Sequence, residues 1–213
     1  ISNVLKPRII GKLKFADVLR KIEISADKAY IDYYDSILDK SGIAVIDIKD
    51  SKNMKFLYEI FEEDYVSSYD VNGNYIYLSD GREGIKVIEA NEDTYKVVSR
   101  YKISSSKLLY KNNMLFAGEI NSAIYIFDVT DPKKLYLRSK YSFPRDFSEL
   151  AVDGDRLFVL CREQGVYMFK VNSESGVNYL TKLYSDDIKT FHISDNILLL
   201  LIYSDSYRED GLV

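Results

Sequence analysis

The chain has 213 residues, 46% of them hydrophobic, and a net charge of −4 from 29 basic and 33 acidic side chains. That composition suits a globular chain with a real core. The acidic balance, without any Lys/Arg cluster, excludes nucleic acid and an anionic membrane surface as main partners, because both need a basic face.

No apolar run approaches the ~18 residues that span a bilayer; the longest, Ile197 to Tyr203, suits a buried strand. The single cysteine, Cys161, rules out an internal disulfide and a cysteine metal cluster. Within Leu157-Phe158-Val159-Leu160-Cys161 it reads as a small buried hydrophobe. Nineteen Tyr and ten Phe with no Trp form a β-favouring aromatic set. The first residue is Ile1 rather than Met and no signal-peptide pattern follows, which reads as a piece processed or excised from something longer.

Residues 4–15 read as one strand, similar to Leu135–Tyr141 and therefore of the last type in a repeat. Four-strand units follow. The first has strands at 17–24, 29–34, 42–48 and 55–61, and the second at 65–71, 75–79, 84–90 and 95–103. The third has them at 105–110, 114–118, 123–129 and 135–142, and the fourth at 147–152, 156–161, 165–171 and 178–184. The fifth has strands at 188–193 and 197–203 and the start of a third at Gly211. Turn residues punctuate the first hairpin of each unit. Asn72-Gly73 between two apolar runs is the strongest of these signals, because both central positions of such a turn favour positive φ.

The third strand of each unit carries the repeat. Gly42-Ile43-Ala44-Val45-Ile46-Asp47-Ile48 returns at Gly84, Ala123, Gly165 and Gly211, a period of about 40 to 45 residues that marks propeller blades. Its apolar residues run consecutively rather than alternating. Both faces of each sheet must then be covered, and with no helical pattern the sheets must cover one another. The expected fold is all-β: one domain over 1–213, a β-propeller of about five four-stranded antiparallel blades. The repeats are 17–61, 65–103, 105–142, 147–184 and 188–213, with strand 4–15 joining the last blade to close the ring. A segment of a larger ring is the alternative.

The repeat, best seen in Ile126-Phe127-Asp128-Val129-Thr130-Asp131-Pro132, resembles the LVIVD propeller family over nearly the whole chain. Lys170 replaces the acidic residue in the fourth copy, and only one copy has the Asp-Pro step. The resemblance implies a cell-surface or extracellular setting and no general biochemical activity.

Candidate chemistry is sparse. The only histidine, His192, aligns with Glu23 and Asp70 on the first strands, so the three residues could line a channel and hold a metal or act as base. A solvated position is the plainer reading, since zinc needs three or four ligands. Asp47, Glu89 and Asp128 end their strands and read as caps for backbone donors. Asp70 to Asn74 is a hairpin rather than a calcium loop. Gly81-Arg82-Glu83-Gly84 precedes a strand, not the helix a phosphate loop needs. No nucleophile elbow occurs. No cofactor is implied, and the residues point away from an enzyme.

Two second-to-third strand connections look expanded, Asp32 to Ser41 and Tyr203 to Asp210. With the connections near 61–65 and 142–146 they define one rim. Tyr33, Tyr34, Asp35, Asp39, Glu62, Glu63, Arg145, Tyr203, Asp205, Tyr207 and Arg208 are the candidate contacts for a protein or glycan partner. The function expected is a non-enzymatic interaction module of a larger or surface-associated protein. A channel enzyme and a plain spacer are the rivals.

Overall fold

The protein is described here from a computed structural model. It covers residues 8–14, 18–62, 65–80, 83–119, 123–161, 163–172, 176–183, 188–194, 197–204 and 209–212. Among the described residues nineteen strands form five antiparallel sheets. The first holds β1 Val18–Ser25, β2 Lys28–Asp35, β3 Lys40–Asp47 and β4 Lys55–Glu62. The second holds β5 Val66–Asn72, β6 Tyr75–Asp80, β7 Gly84–Ala90 and β8 Tyr95–Tyr101. The third holds β9 Ser105–Lys111, β10 Met114–Glu119, β11 Ala123–Asp128 and β12 Tyr136–Ser142. The fourth holds β13 Phe147–Asp153, β14 Arg156–Cys161, β15 Gly165–Asn172 and β16 Gly176–Leu183. The fifth is three-stranded: β17 Ile188–Ser194, β18 Ile197–Ser204 and β19 Glu209–Leu212. No helix among the described residues is long and apolar enough to cross a membrane.

The consecutive apolar residues of the second and third strands dictate the stacking. Alternate side chains leave opposite faces of a strand, so Ile43 and Val45 meet Ile76, Leu78 and Ile88 of the next sheet, while Ala44 and Ile46 turn the other way. The same division gives one apolar layer between each neighbouring pair of sheets. Ile85, Val87 and Tyr77 pack on Leu115 and Phe127. Ile124, Ile126 and Phe116 pack on Val159 and Phe169. Phe158 and Leu160 pack on Phe191 and Leu200. Burial of such side chains is the dominant favourable term, at roughly 25 cal/mol per Å² removed from water.

The first strands of neighbouring sheets also touch through polar bonds. Lys21 Nζ donates to the Tyr69 carbonyl at 2.7 Å. The Leu108 amide donates to Ser68 Oγ at 3.0 Å, and the Tyr110 amide to Asp70 Oδ2 at 2.6 Å. The Phe191 amide donates to Glu149 Oε2 at 3.2 Å. Lys21, Ser68 and Glu149 occupy one position of the repeat, and each bonds the backbone of the same position in the next sheet. A second regularity is the bulge. Each first-to-second strand register slips by one residue, at Arg20, Ser67, Ser106, Ser148 and Lys189. Each third-to-fourth register in the first four sheets slips once too. A bulge adds local right-handed twist, so the sheets share one twisted shape and nest.

Four expectations need correcting. The row of sheets is not a closed ring. Of the strand expected over 4–15, residues 8–14 form no strand, and 4–7 and 15 lie outside the described residues; Gly11 lies so close to the Ser51 carbonyl that a Cβ would stand 2.1 Å from it. Gly11 is thus set against the β3–β4 connection of the first sheet. The loop expected over Asp32 to Ser41 is mostly strand, because β2 runs to Asp35 and β3 starts at Lys40. In the Asn72-Gly73-Asn74 hairpin Asn72 ends the strand opposite Tyr75, and the positive φ falls on Gly73. Among the described residues, only Asn112 and Asn113 supply two consecutive left-handed centres.

Gly84 is the glycine the motif needs most: its φ is +100 and a Cβ would meet the Tyr101 carbonyl oxygen at 2.4 Å.

Two buried tyrosines offer a contrast. The Tyr69 hydroxyl donates to the Tyr30 carbonyl at 2.9 Å and reaches the Lys21 carbonyl at 3.1 Å, tying two sheets together. The Tyr77 hydroxyl is buried with no hydrogen-bond partner among the described residues, its ring stacked on Tyr110 at 5.3 Å. Tyr69→Phe is expected to destabilise by about 1–3 kcal/mol, because it removes a buried hydrogen bond to the Tyr30 carbonyl. Tyr77→Phe is expected to be neutral or stabilising, and urea unfolding of both variants checks the pair.

Candidate functional site

The second-to-third and fourth-to-first strand connections share one edge of the row, since each sheet is an up-and-down meander. At the first sheet that edge is built tightly. Asp35 Oδ1 accepts the amides of Ile37 and Leu38, each at 2.9 Å, and the Tyr34 hydroxyl donates to Asp39 Oδ1 at 2.8 Å. Asp39 takes a φ of 51, in the left-handed region that Asp tolerates better than most residues. The turn therefore holds its two apolar residues outward: Ile37 is 89% and Leu38 61% exposed. Phe61, at the end of β4, and Tyr65, in the connection that follows, are exposed beside the same edge, as are Val18 and Leu19 at the start of β1. Lys40 sits over the Phe61 ring, 5.4 Å from its centre.

The expected rim residues fare differently. Tyr34, Asp35 and Asp39 are at the edge, but their polar atoms shape the turn. Tyr33 is not a rim residue: it is buried against Ala29, Ala44 and Ile46, and burial together with the nearby Glu59 carboxylate raises its hydroxyl pKa. Arg145 is exposed on this edge, 3.8 Å from Glu163. Glu62 and Tyr203 lie on described backbone, but their side chains, like the whole of Glu63, Asp205, Tyr207 and Arg208, lie outside the described residues. Sequence reasoning missed Ile37 and Leu38, although two adjacent aliphatics inside a turn of Asp, Ser and Lys were the available signal.

Glu23, Asp70 and His192 do share one register position, opposite Tyr30, Tyr77 and Leu199. Glu23 and Asp70 stand on adjoining sheets, near enough for the Glu23 charge to raise the Asp70 pKa, whereas His192 belongs to the fifth sheet. Glu23 pairs with Lys21 at 2.8 Å. Both Asp70 oxygens take backbone amides, from Val71 at 2.8 Å and Tyr110 at 2.6 Å. Burial raises the Asp70 pKa, and those amides pull the other way. Among the described residues no group of three or more His, Cys, Asp or Glu stands close enough to hold a metal ion. Cys161 is fully buried, and burial pushes its thiol up to about 12, far from a reactive thiolate.

The strand-ending carboxylates divide. Asp47 and Asp128 accept the amides of Lys49 and Thr130 two residues on, at 2.9 and 2.8 Å. Glu89 instead pairs with Lys96 at 2.9 Å and accepts from the Tyr75 hydroxyl at 3.0 Å. A buried pair, Lys86 with Asp80 at 2.5 Å, continues to Glu83 at 3.0 Å and from there to Arg100. Lys86 takes the place of Ala44 in the repeat, and its charge is answered inside the sheet.

The opposite edge carries a groove of about 830 Å³ between the first and second sheets. The hairpin turns at Ala26-Asp27 and Asn74, the end of β3 at Asp47, and the stretch Asn91 to Thr94 line it. Lys28 Nζ and the Tyr58 hydroxyl both donate to the Asn91 carbonyl, at 3.0 and 2.8 Å, and so fix one wall.

No family model matches the chain, and no curated protein matches it. Two computationally designed proteins are among the solved structures that do. One, Ika8, matches with a TM-score of 0.64 at 11% identity, over 85% of this chain and 54% of its own. The other, Ika4, matches with a TM-score of 0.55 at 9% identity, over 71% of this chain and 92% of its own. The chain thus spans about half the length of Ika8. These likenesses concern the fold alone.

Asp128 gives this region a pH signature. The Thr130 amide, then Arg138 at 2.5 Å, lower its carboxyl pKa from 3.8 to about 2. A depressed carboxyl pKa stabilises the fold above the unfolded value, and that contribution is lost as pH falls from about 4 toward 2. Partial exposure of the pair limits it to about 1–2 kcal/mol. Asp128→Asn should lose that amount at pH 7 and little at pH 2, measured by urea unfolding at both pH values.

Proposed function

We propose that the chain is a binding module rather than an enzyme: an array of propeller-type blades of the LVIVD kind within a larger or surface-associated protein. Its edge at the first sheet engages a protein partner. The observation that carries this reading is the turn at Ile37 and Leu38. Two large aliphatic side chains stand in water at the tip of a hairpin whose own hydrogen bonds fix their direction. Scattered exposed apolar residues are ordinary, but a contiguous strip of them marks contact surfaces. Phe61, Tyr65, Val18 and Leu19 are further exposed apolar residues at the strand ends on this edge. The fitting partner is a protein with an apolar cleft wide enough for the tip and acidic groups near Lys40.

A photo-crosslinker placed at Ile37 should trap one defined protein in the source cells, and excess unlabelled chain should compete it away. The double variant Ile37→Asp/Leu38→Asp should keep its β-sheet spectrum and lose that competition at least tenfold. Undiminished competition by the double variant would remove the tip from the contact.

The groove on the other edge supports a second reading, a glycan. A sugar hydroxyl donates and accepts at once, so it needs carboxylates, amides and ammonium groups together. Asp27, Asp93, Asn74, Asn91, Lys28 and Lys49 provide that mixture. Titration with a panel of neutral oligosaccharides, followed by NMR, should shift the Asn74 and Thr94 amides, and Asn74→Ala/Asp93→Ala should abolish the shift. Silence across the panel would leave the groove without this role.

A further inference from the structure

Asn72-Gly73 is the only Asn-Gly step in the sequence. A carboxamide in that setting closes on the next backbone nitrogen, because glycine has no Cβ to block the approach. The step is open to water: Asn72 and Gly73 are exposed, and a Cβ on Gly73 would meet nothing within 4 Å. Two features hold it shut. Asn72 is the last residue of β5 and pairs with Tyr75, and extended backbone turns the following nitrogen away from the side chain. The carboxamide itself is held by the next sheet, where Asn72 Nδ2 donates to the Tyr110 hydroxyl at 2.8 Å. That hydroxyl is fixed in turn. It donates to Asn113 Oδ1 at 3.0 Å, the Tyr110 ring stacks on Tyr77 at 5.3 Å, and Asp70 holds the Tyr110 amide at 2.6 Å.

We infer that Asn72 is a site of self-modification by deamidation, and that Tyr110 of the neighbouring sheet guards it. The Gly73 nitrogen attacks Asn72 Cγ and gives up its proton. A new Cγ–N bond forms, the bond to Nδ2 breaks, and Nδ2 leaves with that proton as ammonia. Water then opens the five-membered imide at either carbonyl, which yields aspartate or isoaspartate. One water enters, one ammonia leaves and nothing is oxidised. The fourth sheet shows what the aspartate product meets. Asp153-Gly154 stands at the same place in its hairpin, with Gly154 at a φ of 57 against 58 for Gly73, so aspartate fits. Isoaspartate adds a main-chain carbon at the mouth of a two-residue turn, whose length sets the strand register. Both products lose the donor to Tyr110, and with it a polar tie between the second and third sheets.

The reaction is followed in the whole chain at neutral pH by peptide mapping, with enzymatic methylation to count isoaspartate. Asn72 should react at least tenfold more slowly in the folded chain than in urea, since the folded hairpin must open first. Tyr110→Phe should speed the folded reaction at least threefold and leave the rate in urea unchanged. Hydrogen exchange at the Tyr75 amide, which reports opening of the hairpin, should be the same in both chains. Equal folded rates for the wild type and Tyr110→Phe overturn the proposal. So does a folded rate equal to that in urea. A rise in Tyr75 exchange that matches the whole gain in rate also overturns it, because hairpin opening rather than the lost bond would then be the cause.

Discussion

The structure depends on one constraint: the middle strands of every sheet are apolar on both faces. A sheet with one wet face tolerates alternation, whereas Ile43 to Ile46 or Ile124 to Phe127 leave no face for water. Two covers per sheet are obligatory. In a chain of short meanders the nearest cover is always the next meander. The order of the sheets, the four apolar layers and the exposed character of the fourth strands follow from that requirement. The fourth strands show it by contrast: Lys55 to Glu62 and Tyr136 to Ser142 are mixed in polarity and mostly accessible, because they lie at the periphery, where the sheets are furthest apart.

Coverage fixes which surfaces meet but not their register. The register comes from the first strands, where side chains of one sheet bond the backbone of the next. Apolar layers slide at little cost, whereas a carboxylate holding an amide at 2.6 Å does not. Asp70 and Glu149 act as pins in this sense, and their desolvation is answered by the amides they hold. The same pins explain why Asp70 is unavailable for the chemistry its alignment with His192 suggested.

Much of the fold was legible because its signals are local. The run from Gly42 to Ile48 and its copies need no partner to be recognised, and the Gly and Asn turns follow from φ alone. What could not be read is whatever depends on a distant segment. The bulges at Arg20 or Ser148 leave the apolar pattern nearly unchanged. Residues 4–15 show strand-like alternation, but alternation cannot say which sheet a segment will lie against, and Gly11 lies by the first. Tyr33 shows the same limit at the candidate site: in a Tyr-rich chain nothing local separates a ring in the core from a ring on the edge. Ile37 and Leu38 were legible in principle, as aliphatics where a turn calls for polar residues.

The nearest-neighbour character of the row also shapes how it comes apart. Each sheet holds only the ones beside it, so cooperativity is transmitted in one dimension. The second and third sheets have neighbours on both faces, and Ile76, Ile88, Leu115 and Phe127 are wholly buried. Among the described residues the fifth sheet packs on the fourth alone, and its last strand pairs along four residues. Backbone amides should therefore exchange with solvent in a gradient, slowest in the second and third sheets and fastest in the fifth. The chain would lose its structure like an unravelling stack, from that end inward, rather than in one concerted step.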